Sequence, residues 1–184
     1  MKVGIAGVGG IGSNVAVHLV RAGCTSLKLV DFDRVELSNL NRQFFFADQI
    51  GSYKVDMLRE NLLRIVPDAA VETARLRLTP ENMLDMFRDC QLLVEGFDDQ
   101  RSKKLLVETF TDFDMPIVSA SGIAGREIDA IRVHRLGNCT IVGDFQTDFR
   151  VSSLYGPKIS VIAAMMADFV LKTGSNNDWK ERGA

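Results

Sequence analysis

A G-x-G-x-x-G string, Gly7-Val8-Gly9-Gly10-Ile11-Gly12, sits between an apolar run at residues 2–6 and a helical pattern at residues 11–22. Strand, glycine turn and helix in that order form the opening unit of a parallel βαβ sheet. The first glycine permits a tight turn, and the second lets backbone N–H groups approach an anion. The third lets the helix pack close on the strand, and the helix N-terminus favours negative charge. Asp31 closes the next apolar run, residues 27–31, nineteen residues after Gly12. A dinucleotide fold places an acid there against a ribose hydroxyl. A tight turn with no ligand is the alternative, but the context favours a nucleotide site built on Gly7, Gly9, Gly10, Gly12 and Asp31.

The remaining pattern extends the same architecture. Val55, Leu58, Leu62 and Ile65 form one apolar stripe in a helix over residues 52–66, which Pro67 stops. A weak strand is expected at residues 70–74. Thr79 as N-cap and Pro80 in the first turn open a helix over 81–88. Short apolar strands at 92–95 and 117–120 flank a helix over about 100–110. Residues 128–136 and 139–143 then read as a hairpin about Gly137-Asn138, residues 144–156 as a polar loop, and Pro157 opens a final apolar helix. The expected class is α/β: a Rossmann-like, mainly parallel sheet with helices on both faces and a C-terminal antiparallel strand pair. One ATP-binding domain is expected over residues 1–173, with a polar, frayed tail over 174–184.

With 22 Lys and Arg against 24 Asp and Glu, the formal charge is −2, a poor footprint for general nucleic-acid or anionic-membrane binding. The most apolar stretch, residues 159–171, is too short to span a bilayer and contains Asp168. The chain enters its first strand without a signal-peptide pattern, and Cys24, Cys90 and Cys139 are too few and too scattered for a disulfide framework or a zinc site. A cytoplasmic protein is expected.

An oxidoreductase binding NAD fits the chain up to Asp31. The next segment, Asp31-Phe32-Asp33-Arg34-Val35-Glu36-Leu37-Ser38-Asn39-Leu40-Asn41-Arg42-Gln43, argues for a triphosphate, whose charges a glycine turn does not neutralise alone. Arg42 can make a forked contact with phosphate oxygens, Lys54 adds a point charge, and Asn39 can orient them. Asp98 follows the carboxyl end of the strand at 92–95, on the edge where open α/β sheets bind ligands. From the residues alone, a metal-binding carboxylate and a helix cap are equally open readings for the Asp98-Asp99 pair.

The string D-x-D-x-V-x-x-S-N-L-x-R-Q closely resembles the ThiF/MoeB/HesA branch of the ubiquitin-activating-enzyme-like superfamily, and the resemblance runs from Lys2 to about Leu171. The short length and the run Val118-Ser119-Ala120-Ser121-Gly122-Ile123-Ala124-Gly125 look most like compact ThiF proteins of thiamine biosynthesis. The resemblance implies an ATP-dependent adenylyltransferase acting on the C-terminal carboxylate of a small ubiquitin-like sulfur-carrier protein, ThiS-like and ending in Gly-Gly, and a homodimer. It implies Gly10 at the phosphates, Asp31 at the ribose, and Ser38, Asn39, Arg42 and Lys54 at the triphosphate. Arg42 would stabilise departing pyrophosphate and Asp98 would hold Mg²⁺, leaving Asp99 as a helix cap where relatives usually have Asn.

Three departures stand out. Read from its first strand, the sequence is expected to do without the N-terminal helix that supplies an arginine to the partner's site in larger relatives, and it shows no paired Cys-x-x-Cys zinc ligands. Cys139 lies in an expected strand, as packing, rather than in a loop where relatives carry a reactive cysteine. Arg101-Ser102-Lys103-Lys104 reads as a solvated helix face, and Phe44-Phe45-Phe46 as core and interface packing. The competing functions are activation of a non-protein carboxylate such as a tRNA nucleoside, an NAD-binding oxidoreductase, and a non-catalytic module that docks a ubiquitin-like fold.

Overall fold

Short runs between the helical segments become the strands of one seven-stranded sheet. In the computed structural model, which describes residues 1–111, 113, 115–148 and 150–175, these are β1 (Val3–Ala6), β2 (Ser26–Val30), β3 (Ala70–Ala74), β4 (Leu92–Glu95), β5 (Ile117–Ala120), β6 (Arg132–Leu136) and β7 (Cys139–Gly143). The order is β3-β2-β1-β4-β5-β7-β6, and every neighbouring pair is parallel except β6 with β7. Every residue of β1, β4 and β5 is buried, as strands covered on both faces require.

Side-chain alternation divides the interior in two. Val3, Ile5, Leu27, Leu29, Leu92 and Val94 face the larger cluster, with the apolar stripes of α1 (Gly10–Arg21), α2 (Lys54–Ile65) and α5 (Gly156–Ser175). Ala6, Val30, Leu93 and Ile117 face the smaller one, with Met83 and Phe87 of α3 (Pro80–Phe87) and Leu106 and Phe110 of α4 (Gln100–Phe110). Helices therefore cover both faces. In α5 the stripe is Ile159, Ile162, Ala163, Met166, Ala167 and Val170, so Met166 of the Met165-Met166 pair is core.

Most element boundaries move by a residue or two from the sequence reading, and two of the differences have a specific consequence. The strand expected from residue 128 begins at Arg132, because the Ile131 N–H turns back onto the Ile128 carbonyl and Arg132 Nη1 bonds the Asp129 carbonyl. The tail expected to fray from residue 174 is helical at Gly174, since α5 continues to Ser175. Residues 176–184 lie outside the described residues.

The chain reverses direction of progress across the sheet between β1 and β4. On one side lie β2 and β3, on the other β5, β7 and β6. In an open α/β sheet the crevice beyond the strand ends at such a reversal is the ligand position.

Candidate functional site

The crevice is closed at its base by glycines in contact. Gly7 has φ +85°, and its N–H bonds the Val30 carbonyl at 2.8 Å, while the Gly96 N–H bonds the Ala6 carbonyl at 2.8 Å. A Cβ on Gly12 would stand 1.9 Å from the Gly7 carbonyl oxygen, and one on Gly96 would stand 2.5 Å from the same atom. These contacts pin the glycine turn to the start of the β4–α4 loop. Gly9 is the N-cap of α1 and has no side chain to satisfy the first N–H groups of the helix. That end of α1 is a natural position for an anion.

Asp31 is tied to the turn, its Oδ2 accepting the Val8 N–H at 2.8 Å and its Oδ1 the Asp33 N–H at 2.8 Å. Burial pushes its carboxyl above the usual range, opposed by those two donors and by the Lys54 charge. Lys54 is 6% exposed at the first residue of α2, with Nζ 2.9 Å from Asp33 Oδ2. The sequence reading treated Lys54 as directed to phosphate; here its ammonium is paired with Asp33.

Residues 36–50 form a strap across α1 and α2. Asn14 Nδ2 bonds both the Gly10 carbonyl (2.7 Å) and the Arg42 carbonyl (2.8 Å), the Phe44 N–H bonds Ser13 Oγ, and buried Asn61 bonds the Phe44 carbonyl and Gln49. Arg42 is thereby laid against the turn: a Cβ on Gly10 would lie 3.7 Å from Arg42 Cγ. Its Nη1 bonds the Ser38 carbonyl at 2.8 Å and Asn41 Oδ1 at 2.9 Å. Ser38 is exposed, its Oγ donating to Glu36. Asn39 is buried, and its Oδ1 accepts the Glu36 N–H at the start of a 3-10 turn, Leu37–Asn39. The aliphatic stem of Arg42 thus lies against the glycine turn, while its guanidinium, like the side chains of Ser38 and Asn39, is engaged within its own segment. Within the aromatic run, Phe45 is core and Phe46 is exposed beside Phe44.

Asp98 and Asp99 have separate environments. Asp99 is the N-cap of α4, its Oδ1 accepting the Ser102 N–H at 2.8 Å; burial raises its carboxyl, but bonds from Ser102 and Arg101 and the Lys103 charge outweigh it and hold it below the usual range. Asp98 is exposed just beyond β4, with no hydrogen-bond or ion-pair partner among the described residues. Beneath it is a cluster the sequence reading missed. Glu95, fully buried, accepts from Lys103 Nζ at 2.9 and 2.8 Å, from Ser119 Oγ at 2.6 Å and from the Phe97 N–H at 2.7 Å. Lys103 is therefore only partly solvated, because α4 turns its ammonium inward onto a buried carboxylate. The available signal was a glutamate closing an otherwise apolar strand.

A second buried pair, also missed, closes the other side. Lys158 Nζ bonds Asp144 Oδ2 and the Ala124 carbonyl, each at 2.6 Å. Asp144 Oδ1 accepts the Gln146 and Thr147 N–H groups. Burial raises the Asp144 carboxyl, but Lys158 and those donors outweigh it and hold it at about 2. Cys139 is 2% exposed in β7; burial, then the Glu95 charge, push its thiol up to about 11. It is a packed residue with no thiolate character at neutral pH.

Fold and site together define an open, doubly wound α/β protein with an anion-accepting glycine turn at its switch point. The ThiF family model matches residues 1–182, and the chain belongs to that family. Adenylyltransferase and sulfurtransferase uba4 of Emericella nidulans is 36% identical over 123 residues, covering 66% of this chain and 26% of that protein. Ubiquitin-like modifier-activating enzyme 5 of Caenorhabditis briggsae is 40% identical over 85 residues, 46% of this chain and 20% of that protein. The chain thus spans about a quarter of these curated relatives. Among solved structures, Escherichia coli tRNA N6-threonylcarbamoyladenosine dehydratase, TcdA, in complex with AMP has a TM-score of 0.84 at 20% identity, covering 96% of this chain and 88% of that one.

Proposed function

We propose that residues 1–173 are a single cytoplasmic adenylation domain. It activates the C-terminal carboxylate of a small ubiquitin-like sulfur-carrier protein, ThiS-like and ending in Gly-Gly, as an acyl-adenylate with release of pyrophosphate. The observation that carries this reading is the strap bearing Arg42, fastened by Asn14 over the N-terminus of α1, with Asp98 beyond the neighbouring strand. A dinucleotide oxidoreductase leaves that arrangement without a purpose. The relatives named for adenylyl transfer and ubiquitin-like modifier activation support the same chemistry.

In this reading the carrier carboxylate attacks the α-phosphorus of ATP in line, an acyl O–P bond forms, and the bond to pyrophosphate breaks. A carboxylate is ionised at neutral pH, so the protein supplies position and charge rather than a base. Gly7, Gly9, Gly10 and Gly12 give the phosphates a backbone cradle, and Asp31 accepts from the ribose. Arg42, with Ser38 and Asn39 shaping its segment, neutralises the departing pyrophosphate. Lys54 moves from Asp33 to phosphate or holds Asp33 in place beside the ribose acid.

The residues present fit a magnesium ion. Asp98 offers one accessible hard oxygen donor, and no group of three or more His, Cys, Asp or Glu among the described residues would hold a metal without a substrate. Mg²⁺ characteristically takes one or two carboxylates together with substrate phosphates and water. Bound there, it would lower the negative charge that the attacking carboxylate meets.

A homodimer completes the proposal. The three free, buried cysteines accord with a reducing compartment. The likeness to TcdA over 88% of that chain favours a second reading, activation of a carboxylate on a tRNA nucleoside. ATP–pyrophosphate exchange decides between them. Exchange that depends on a Gly-Gly carrier supports the first reading, exchange that depends on modified tRNA supports the second, and NAD binding without an ATP response overturns both. Arg42→Ala and Asp98→Ala are each expected to lower the exchange rate by about a hundredfold or more, the scale of losing one charge-stabilising group.

A further inference from the structure

We propose that the ion pair between buried Glu95 and half-buried Lys103 is a positioning device that sets Asp98 for metal. The proposal rests on the reading of Asp98 as the magnesium ligand. Its basis is the closed path through residues 95–103. The Glu95 carboxylate, at the end of β4, accepts the Phe97 N–H at 2.7 Å, which fixes the backbone immediately before Asp98. Asp99, immediately after it, caps α4 through the Ser102 N–H. One residue further, Lys103 returns its ammonium to both Glu95 oxygens at 2.9 and 2.8 Å. The ring is anchored to β5 as well, through Ser119 Oγ on Glu95 at 2.6 Å and Lys103 Nζ on the Ala120 carbonyl at 3.2 Å.

Asp98 stands at the apex of this ring, braced on both sides, with its own carboxylate exposed. Glu95 has no exposed surface, so it does not itself meet a substrate. Burying this carboxylate carries a desolvation cost that an apolar residue of the same volume would avoid. The return on that cost is geometric: groups that orient a metal-binding carboxylate are worth ten- to a hundredfold in metal affinity.

The test uses the full chain with the uncleavable analogue AMPCPP and measures Mn²⁺ binding by electron paramagnetic resonance, with thermal melts alongside. Glu95→Gln and Lys103→Met are each expected to weaken Mn²⁺ binding by about tenfold or more. Lys103→Arg, which keeps the ion pair, is expected to stay within about threefold of the wild type. The Glu95→Gln/Lys103→Met double variant leaves no unpaired buried charge and is expected to recover melting temperature without recovering Mn²⁺ affinity. Wild-type affinity in folded single variants, or affinity that recovers together with melting temperature in the double variant, overturns the positioning role. Asp98→Ala separates the two layers. If it leaves Mn²⁺ binding unchanged, the metal reading fails and the proposal falls with it. If it weakens binding while Glu95→Gln does not, only the positioning proposal fails.

Discussion

Gly10 and Gly12 stand two residues apart in one turn and answer to different constraints. At Gly12 any side chain meets the Gly7 carbonyl oxygen at 1.9 Å, whereas a methyl group at Gly10 makes ordinary contacts of 3.6–3.7 Å with Ile159 and Arg42. Gly12→Ala is therefore expected to destabilise the protein by about 1–3 kcal/mol, an overpacking cost, and Gly10→Ala by much less. Urea unfolding of the two variants checks this. A similar contrast holds for the acidic pair. Asp99→Ala removes the N-cap of α4 and should cost about 1 kcal/mol of stability, while exposed Asp98→Ala should cost almost none yet lower exchange by about a hundredfold or more. The glycine spacing was legible in the sequence, because each position follows from local backbone requirements. The roles of Glu95 and Lys103 were not, because a helix residue and a strand residue eight positions apart meet only once α4 is docked.

At the scale of elements, the loop after β7 shows how a polar segment is held without regular structure. Phe145 takes φ +62°, an uncommon value for a non-glycine residue, and its ring stacks on His134 of β6 at 4.2 Å. Asp144 fixes the turn beside it, and Lys158 in the first turns of α5 neutralises Asp144. Lys158→Met leaves a buried charge without its partner and is expected to cost about 3–5 kcal/mol, read from urea unfolding at pH 7. The Asp144 carboxyl is lower in the folded chain, about 2, than its ordinary value of 3.8. Its stabilising contribution is thus complete above the ordinary carboxylate range and is lost as pH falls toward 2. The Asp144→Asn/Lys158→Met double variant is expected to lose that part of the acid dependence, seen as a flatter unfolding midpoint between pH 5 and pH 2. The strap over α1 is another element that sequence described only in part. The Arg42 motif was recognisable, but Asn14, whose amide joins the Gly10 and Arg42 carbonyls, looked like any polar residue on a helix.

At the scale of the whole molecule, alternation of strand and helix was sufficient to indicate a parallel sheet covered on both faces. A two-residue turn at Gly137 was sufficient to indicate its antiparallel finish. These are consequences of short-range periodicity and of residues with restricted or unusual backbone freedom, which is why the sequence by itself determined them, together with the glycine turn and the family-bearing string through Arg42. The tertiary structure alone decided which strands neighbour one another, and so which loop ends share the crevice. It brought Gly96 onto Gly7, directed Lys54 onto Asp33 and buried Glu95 and Asp144 with lysine partners. The physical reason is that burial and ion pairing depend on distances between segments far apart in the chain, and those distances are set by packing two hydrophobic clusters against one sheet.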